Sequence, residues 1–472
     1  MPNTFAYLML LVWPLVSVFL FRRLSTAGAV IWTILGGYLV LPPATVINLP
    51  VLPDPDKVII PNICAYLGFL ATRPRHEQEK KPLALNLVLA LFLLTPIGTV
   101  LTNLDPVLFA IGGLPPMQMV ELPSSILNNF IVVLPFLIGY RLFRDEDSMR
   151  HLLVALMAAG LVYSIPMLIE VRLSPQINVW VYGFFQHAFD QMMRYGGFRP
   201  IVFLEHGLWV AFFAFMAAFA TIALLRLEPE KRQRNFLLSI YLLVVLVLCK
   251  SANAVTHIVL FAPIVLFLKP RTQARLAAIV AVTVLFYPAL RGAGLIPTGA
   301  IANFAASIDA ERAGTLIYRL TNEDALLAHA SQRPWFGWGG WDRNLVHDPI
   351  TGAFVGAIDG RWIVTLGISG WFGYVGEMGL LTLPLFSLAA HARHHALSSY
   401  KYAAAIALIL AANLIDLIPN ATLIPFTWLM AGALAGRAQA MGNVVARPAA
   451  VPDAVPPWAR QRTQGEQEKP IG

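Results

Sequence analysis

The sequence contains little cysteine and little charge. Its 472 residues include two cysteines, Cys64 and Cys249, and each lies in an apolar segment. Neither a disulfide framework nor a zinc-type ligand spacing is present. Charged residues make up 13% of the chain and hydrophobic residues 57%, whereas soluble domains have roughly 25% charged and 45–50% apolar residues. The composition therefore predicts an all-α, polytopic membrane protein.

Sequence signatures of several other protein classes are also missing. There is no Walker sequence, no two-glycine dinucleotide fingerprint and no pair of histidines at metal-ligand spacing. The chain also lacks the two-fold hydropathy repeat with interrupted helices that is typical of secondary transporters. Its net charge of +8 is better explained by basic cytoplasmic loops than by nucleic-acid binding. We therefore expect no cofactor, no metal and no nucleic-acid partner.

Long apolar runs occupy most of the chain. A helix needs about twenty mostly apolar residues to cross a bilayer, and these runs predict about 12–13 transmembrane helices with a large helical loop near the C-terminal side. The predicted spans are 5–21, 27–49, 57–71, 83–104, 125–143, 151–170, 201–225, 236–249, 255–268, 276–290, 362–390, 402–417 and 421–435.

Basic residues occur in alternate loops and predict the orientation. One set of loops is rich in lysine and arginine, whereas the opposite short loops hold Asp54, Asp56, Asp105 and Glu121 against a single Lys57. The positive-inside rule places the basic loops in the cytoplasm. We therefore expect a multi-pass protein of a bacterial inner membrane, with its N-terminus in the periplasm and its C-terminus in the cytoplasm.

A membrane domain, residues 1–436, is expected to include a periplasmic loop at 291–361. Loops of this length are usually functional or disordered, and the aromatic residues of this one argue against disorder. We interpret it as a folded cap that binds a polar anionic ligand. Residues 437–472 are polar and rich in proline, and they are predicted to form a disordered cytoplasmic tail.

Glu205 and His206 are the first candidate catalytic residues. They follow Arg199 and Pro200 and are predicted to lie about one and a half turns inside the span 201–225. Ionisable groups at that depth cost about 2.5–3.5 kcal/mol each and usually face a cavity. The alternative is an interfacial glutamate that reaches water or pairs with Arg199. We predict that Glu205 is a general base, with His206 as its partner or replacement.

Two arginines of the long loop are candidates for binding phosphate. A predicted amphipathic helix at 315–330 follows Arg312 and contains Arg319, and their spacing of two turns would place both on one face. Two guanidinium groups suit a diphosphate, because each can form bidentate hydrogen bonds. The alternative is a solvated face with Arg319 paired to Glu323. Lys250, at the end of a span, is either a phosphate contact or an interfacial lysine.

The end of the long loop supplies three further candidates. The glycines of the turn at 333–341 allow a tight backbone, and its indoles, Trp338 among them, can stack on sugars or anchor at the interface. Asp359 and Arg361 follow immediately before the next span. We include all three in the candidate site.

In these residues the chain resembles the bacterial O-antigen ligase and polymerase superfamily of polytopic glycosyltransferases. Lys250-Ser251-Ala252 stands where that family usually has Ser-Arg-Gly, and Asp359 stands where ligases often have a histidine, which favours a polymerase. The similar elements are Arg199-Pro200 before Glu205-His206, Arg319-Leu320 with the stretch 333–339, and 358–361 before 367–370.

The resemblance implies transfer of a glycan from a polyprenyl diphosphate carrier to an acceptor sugar hydroxyl, without a nucleotide sugar. Its implied partners are that lipid-linked glycan, membrane lipids and proteins of polysaccharide export or chain-length control. The alternative function is a flippase for lipid-linked oligosaccharides, although a flippase has no evident need for an ordered cap. Glu205, His206 and Asp359 are the predicted catalytic residues. The predicted substrate-binding residues are Arg199, Lys250, Arg312, Arg319, Arg361 and Trp338.

Overall fold

The structure, a computed structural model, describes residues 1–49, 52–72, 81–194, 196–308 and 310–446. The described residues form sixteen α-helices and two hairpins of two-residue strands, β1 (Val107–Leu108) with β2 (Gly113–Leu114) and β3 (Met193–Arg194) with β4 (Gly197–Phe198). The helices are α1 (Thr4–Arg23), α2 (Thr26–Val40), α3 (Ile59–Thr72), α4 (Leu83–Leu101), α5 (Glu121–Leu142), α6 (Glu146–Leu173), α7 (Ile177–Tyr182), α8 (Gly207–Leu227), α9 (Arg232–Leu248), α10 (Ala252–Phe267), α11 (Pro270–Gly292), α12 (Thr298–Ile308), α13 (Ala310–Ala330), α14 (Arg361–His391), α15 (Lys401–Asp416) and α16 (Pro425–Ala446).

This architecture confirms the predicted all-α membrane fold. Every predicted span overlaps a helix. Among the described residues, seven helices are both long and apolar enough to cross a membrane, namely α1, α4, α5, α6, α8, α11 and α14. The apolar helices α2, α3 and α10 are shorter. The chain is therefore a multi-pass membrane protein.

The centre of the bundle is built from helices with small residues at their contacts. A Cβ atom on Gly139 of α5 would lie 2.4 Å from the carbonyl oxygen of Leu429 in α16. One on Gly432 would lie 2.0 Å from the carbonyl oxygen of Phe136. Small residues of this kind let two membrane helices approach until their backbones touch. Helices α5 and α16 therefore pack closely together, and the buried core of the bundle also includes α8 and α15.

The two ends of the bundle are distinguished by their contacts. At one end, which we call the outer end, the backbone N–H of Asn3 donates to the Tyr182 carbonyl (2.9 Å), and the Tyr182 hydroxyl donates to the Val40 carbonyl (2.6 Å). At the opposite end, Lys401 donates to the Leu227 carbonyl (3.3 Å). The N-terminus therefore lies at the outer end, and the end opposite carries basic residues that include Arg226 and Lys401.

Helix α16 continues beyond the predicted end of the membrane domain. The Arg437 guanidinium donates to the Arg144 carbonyl (2.9 Å) and lies 3.4 Å from the Glu146 carboxylate. Because these contacts hold the last turns of the helix against the bundle, residues 437–446 are helical and their predicted disorder is wrong. Residues 447–472 of the predicted tail lie outside the described residues.

The long loop forms a cap of two helices, α12 and α13, followed by irregular chain. Helix α13 contains the predicted helix 315–330 and begins earlier, at Ala310. The turn at 333–341 is bonded to α14, where Gly370 interrupts the helix with φ 61°. The backbone N–H of Trp338 donates to the Gly367 carbonyl (2.8 Å), and that of Trp371 donates to the Pro334 carbonyl (2.7 Å).

Candidate functional site

The chain before α8 is not helical, so the prediction that a span begins at residue 201 is wrong. The Glu170 carboxylate accepts hydrogen bonds from the backbone N–H groups of Ile201 (2.7 Å) and Val202 (2.8 Å), and Val202 adopts a left-handed φ of 49°. These contacts hold the segment in an extended turn, and the helix begins only at Gly207. The two candidate catalytic residues therefore precede the helix instead of lying inside it.

His206 caps the start of α8. Its Nδ1 accepts the Leu208 backbone N–H (3.0 Å), which leaves the ring proton on Nε2, 3.3 Å from the Gln191 side-chain oxygen. Burial lowers the pKa of His206 to about 3, and nearby His187 and Arg199 act in the same direction. The imidazole is therefore neutral with its acceptor nitrogen already occupied, which suits a positioning residue better than a base.

A cavity of about 740 Å³ lies at the outer end of the bundle, and we call it the cationic cavity. It is formed by the segment before α8, the β3–β4 hairpin, the α9–α10 turn, α13, the end of the cap and the α15–α16 loop. Six of the nine candidate residues line it: Arg199, Glu205, His206, Lys250, Arg319 and Asp359.

The lining of this cavity carries an excess of positive charge. Its cationic side chains are Arg194, Arg199, Lys250 and Arg319, against the carboxylates of Glu205 and Asp359. Arg319 Nε lies 3.3 Å from Asp359 Oδ2, with about a third of each side chain exposed. The predicted alternative, a pair between Arg319 and Glu323, is replaced by this contact across the cap. Excess positive charge in a partly enclosed site favours an anionic ligand.

Arg199 and Lys250 are held in place by backbone features. Arg199 is 5% exposed, and its side chain passes Gly207, where a Cβ atom would lie 2.4 Å from Arg199 Cδ. Lys250 has a left-handed φ of 52°, and its Nζ donates to the Arg194 carbonyl (3.0 Å). Both cations are therefore positioned before any ligand binds, which reduces the entropy lost on binding.

Sequence reasoning missed Lys57, a buried cation beneath the site. Its Nζ donates to the Phe203 carbonyl (2.8 Å), two residues before Glu205. Burial lowers the pKa of Lys57 to about 8, while the charges of Glu205 and Asp56 act in the opposite direction. Glu205 is exposed to the cavity with this cation behind it. The only signal in the sequence was a lone lysine among acidic outer loops.

Two asparagines that sequence reasoning missed also line the cavity. Asn253 and Asn420 both donate from their side-chain amides to Asp416, the second at 2.9 Å. The Thr422 hydroxyl donates to the same buried carboxylate. Asp416 thus fixes two amide groups at the wall of the cavity through contacts that no local sequence pattern shows.

Three candidate residues are not placed in the cavity lining. Arg361 forms a two-bond pair with Glu377, with its Nε 2.8 Å from a carboxylate oxygen. Trp338 stacks on His329, with ring centres 4.4 Å apart, and its indole N–H donates to the His329 carbonyl. Arg312 lies in α13, but its side chain is outside the described part of the chain. The Arg361 side chain is therefore paired within α14, and the Trp338 side chain packs within the cap.

Together these groups can bind an anion and accept a proton beside it. The cations supply charge-assisted hydrogen bonds, and the exposed carboxylate of Glu205 lies in the same cavity. Comparison with known proteins identifies no relative: no protein-family model and no curated protein matches the chain.

Proposed function

We propose that the chain is a membrane glycosyltransferase that transfers a glycan from a polyprenyl diphosphate carrier to the hydroxyl of an acceptor sugar. In this proposal it polymerises or ligates oligosaccharide units for exopolysaccharide or O-antigen synthesis. The observation that carries the proposal is that Arg199, Lys250 and Arg319, which are far apart in the sequence, meet around the exposed Glu205 in one cavity.

The cations would bind the diphosphate of the donor. Negative charge on the diphosphate increases as its bond to the sugar breaks, so cations fixed in place stabilise the transition state more than the ground state. Arg319 is oriented for this by Asp359, and Arg199 by its buried position beside α8. Asp359 would therefore act as a positioning residue for the Arg319 guanidinium.

Glu205 would act as the general base. It would accept the proton of the acceptor hydroxyl as that oxygen attacks the anomeric carbon and the diphosphate leaves. The buried ammonium group of Lys57 donates to the Phe203 carbonyl and so supports the loop that carries this carboxylate. His206, neutral and engaged with α8, would orient the loop that presents Glu205.

The proposal places the outer end in the periplasm of a bacterial inner membrane. The basic residues at the opposite end support this orientation by the positive-inside rule. A reporter that is active only in the periplasm should be active when fused at Thr351 and inactive when fused after Met441. The reverse pattern would contradict the orientation.

A reconstituted assay tests the reaction. The purified chain in lipid vesicles is supplied with a polyprenyl-diphosphate-linked oligosaccharide and a saccharide acceptor, and the expected products are a longer glycan and free polyprenyl diphosphate. Movement of the intact donor across the vesicle, with no longer glycan, would instead support the flippase function. Export and chain-length-control proteins are proposed partners and are not required in this assay.

A further inference from the structure

A second cavity, of about 460 Å³, opens at the outer end of the bundle. We call it the acidic groove, and it is defined by Asp54, Asp56, Glu121, Ser125, Asn128 and Trp341. Its volume falls in the range of roughly 300–1,000 Å³ that is typical of small-ligand sites. None of the nine candidate residues lines it, so it needs its own explanation.

The floor of the groove is a polar stripe on α5. Glu121, Ser124, Ser125 and Asn128 recur at intervals of three and four residues, so they share one face of the helix. All four line the groove. Polar side chains on a membrane helix are expensive unless they face a cavity or a partner. The stripe therefore indicates a wet, ligand-accessible surface and not a contact with lipid.

Trp341 forms one wall of the groove and is held in a strained position. It has a left-handed φ of 57°, and the next residue, Asp342, has a φ of 60°. Consecutive non-glycine residues in this region are unusual, and such strain is concentrated at binding sites. The indole N–H donates to Glu121 (3.2 Å), and the side chain remains 68% exposed. The ring is fixed at its edge with its faces accessible.

The charged groups of the groove are all acidic in the part of its lining that the structure describes. Asp54 accepts the backbone N–H of Leu49 (3.2 Å), and Asp56 accepts that of Ile59 (2.7 Å). Both carboxylates are therefore held in place by the backbone. A lining with acidic groups and no arginine or lysine repels a diphosphate. It can accept hydrogen bonds from hydroxyl groups, since ionised carboxylates are acceptors only.

The acidic groove and the cationic cavity lie on two sides of one loop. In the segment 41–58, Ala44 lines the cationic cavity and Val46 lines the groove. Farther along, Asp56 lines the groove, while the adjacent Lys57 lies behind Glu205. A chain of sugars bound in the groove would thus lie beside Asp56, whose neighbour Lys57 donates to the Phe203 carbonyl, two residues before the proposed base.

We propose that the acidic groove binds a neutral, hydroxyl-rich oligosaccharide, which stacks on Trp341 and donates hydrogen bonds to the carboxylates and to α5. The assignment of this saccharide as the acceptor or growing glycan rests on the proposed function, whereas the binding itself does not. Aromatic stacking combined with fixed polar groups gives orientation and specificity at such sites.

Direct binding tests the groove without any transfer reaction. The purified full-length chain in lipid nanodiscs is titrated by calorimetry with short neutral oligosaccharides built from glucose, galactose, mannose or N-acetylglucosamine. We expect at least one to bind saturably and Trp341→Ala to weaken it about tenfold or more. Glu121→Gln retains an acceptor for the indole, so its fold is preserved, and it should weaken binding by several-fold.

Two controls separate this inference from the proposed function. Glu205→Gln should bind the oligosaccharide as wild type does, even though it should not transfer a glycan. Trp335→Ala removes another exposed tryptophan of the same turn that does not line the groove, and it should leave the affinity unchanged. The inference is overturned if no member of the panel binds, if Trp341→Ala binds normally, or if EDTA abolishes binding and thereby identifies a cation site.

Discussion

Asp359 and Arg361 are only two residues apart in the chain, yet the ion pairs that they form differ in the burial of their carboxylates. Asp359 faces the cationic cavity, 3.3 Å from Arg319, and about a third of each side chain is exposed. Arg361 pairs with Glu377, and although the Arg361 side chain is 31% exposed, that of Glu377 is only 3% exposed. The Thr365 hydroxyl also donates to Glu377 (2.8 Å). In the Arg319–Asp359 pair both side chains are accessible, so a ligand can replace one partner. In the Arg361–Glu377 pair the carboxylate is buried and keeps its protein partners.

This difference shows that charge and position in the sequence do not identify a binding residue. Both arginines belong to the cap or its border, and both are predicted from the sequence to bind substrate. Burial of the partner decides between them, because a buried carboxylate must keep its counter-ion. Substitutions in the Arg319–Asp359 pair should therefore reduce activity, whereas substitutions in the Arg361–Glu377 pair should reduce stability.

The largest expected effect is at the proposed base. Glu205→Gln preserves shape but removes the proton acceptor, so transfer should fall by about 10²–10⁴-fold. Thermal unfolding should be unchanged, because Glu205 is exposed. The assay is polymer formation by membranes that contain equal amounts of protein. Asp190→Asn is the matched control, since Asp190 is an exposed carboxylate nearby that does not line the cavity. Normal transfer by Glu205→Gln would remove Glu205 from the mechanism.

The next effect is on folding at the buried pair. Arg361→Ala leaves Glu377 buried without its partner and should cost about 3–5 kcal/mol of stability. The amount of folded protein extracted in mild detergent and its unfolding temperature measure this loss. The double variant Arg361→Ala/Glu377→Gln should recover part of it. If Arg361→Ala were fully stable but inactive, Arg361 would belong with the binding residues.

A smaller effect is expected at Arg319. Arg319→Ala should reduce transfer roughly ten- to a hundredfold, since a hydrogen bond to a charged group contributes about 1.5–3 kcal/mol. Arg319→Lys should remain impaired, because an ammonium group lacks the planar fork of a guanidinium. Arg172→Ala, an exposed arginine outside the cavity, serves as the control. Wild-type activity in both Arg319 variants would exclude Arg319 from diphosphate binding.

The smallest effect is a pH dependence of cap stability. Burial raises the pKa of Glu323 to about 7, although nearby Arg291 acts in the opposite direction. Since the folded pKa exceeds the unfolded value of about 4.3, this stabilisation is complete below about pH 4 and is lost as the pH rises through 7. The unfolding temperature should therefore decrease between pH 5 and pH 8 by more in wild type than in Glu323→Gln. Parallel pH curves would show that Glu323 does not contribute.

The helices could be predicted from the sequence because apolar runs of sufficient length are local signals. The start of α8 could not, since Glu170, about thirty residues earlier, binds the backbone amides that precede the helix. Six of the residues that line the cationic cavity could also be selected from the sequence, by their charge and position near the ends of spans. The partner of Arg361 was not, because Glu377 lies more than four turns along α14. Lys57 and the acidic groove depend on packing between distant segments.

The bonds between the 333–341 turn and α14 also set an order of assembly during synthesis. The turn leaves the ribosome before α14 does, so the backbone N–H of Trp338 and the carbonyl of Pro334 lack their partners until Gly367 and Trp371 follow. The cationic cavity is completed later still, because Asn420 and Ala421 of the α15–α16 loop line it. A nascent chain that already carries the cap therefore lacks part of the cavity wall until the segment after α15 has been synthesised.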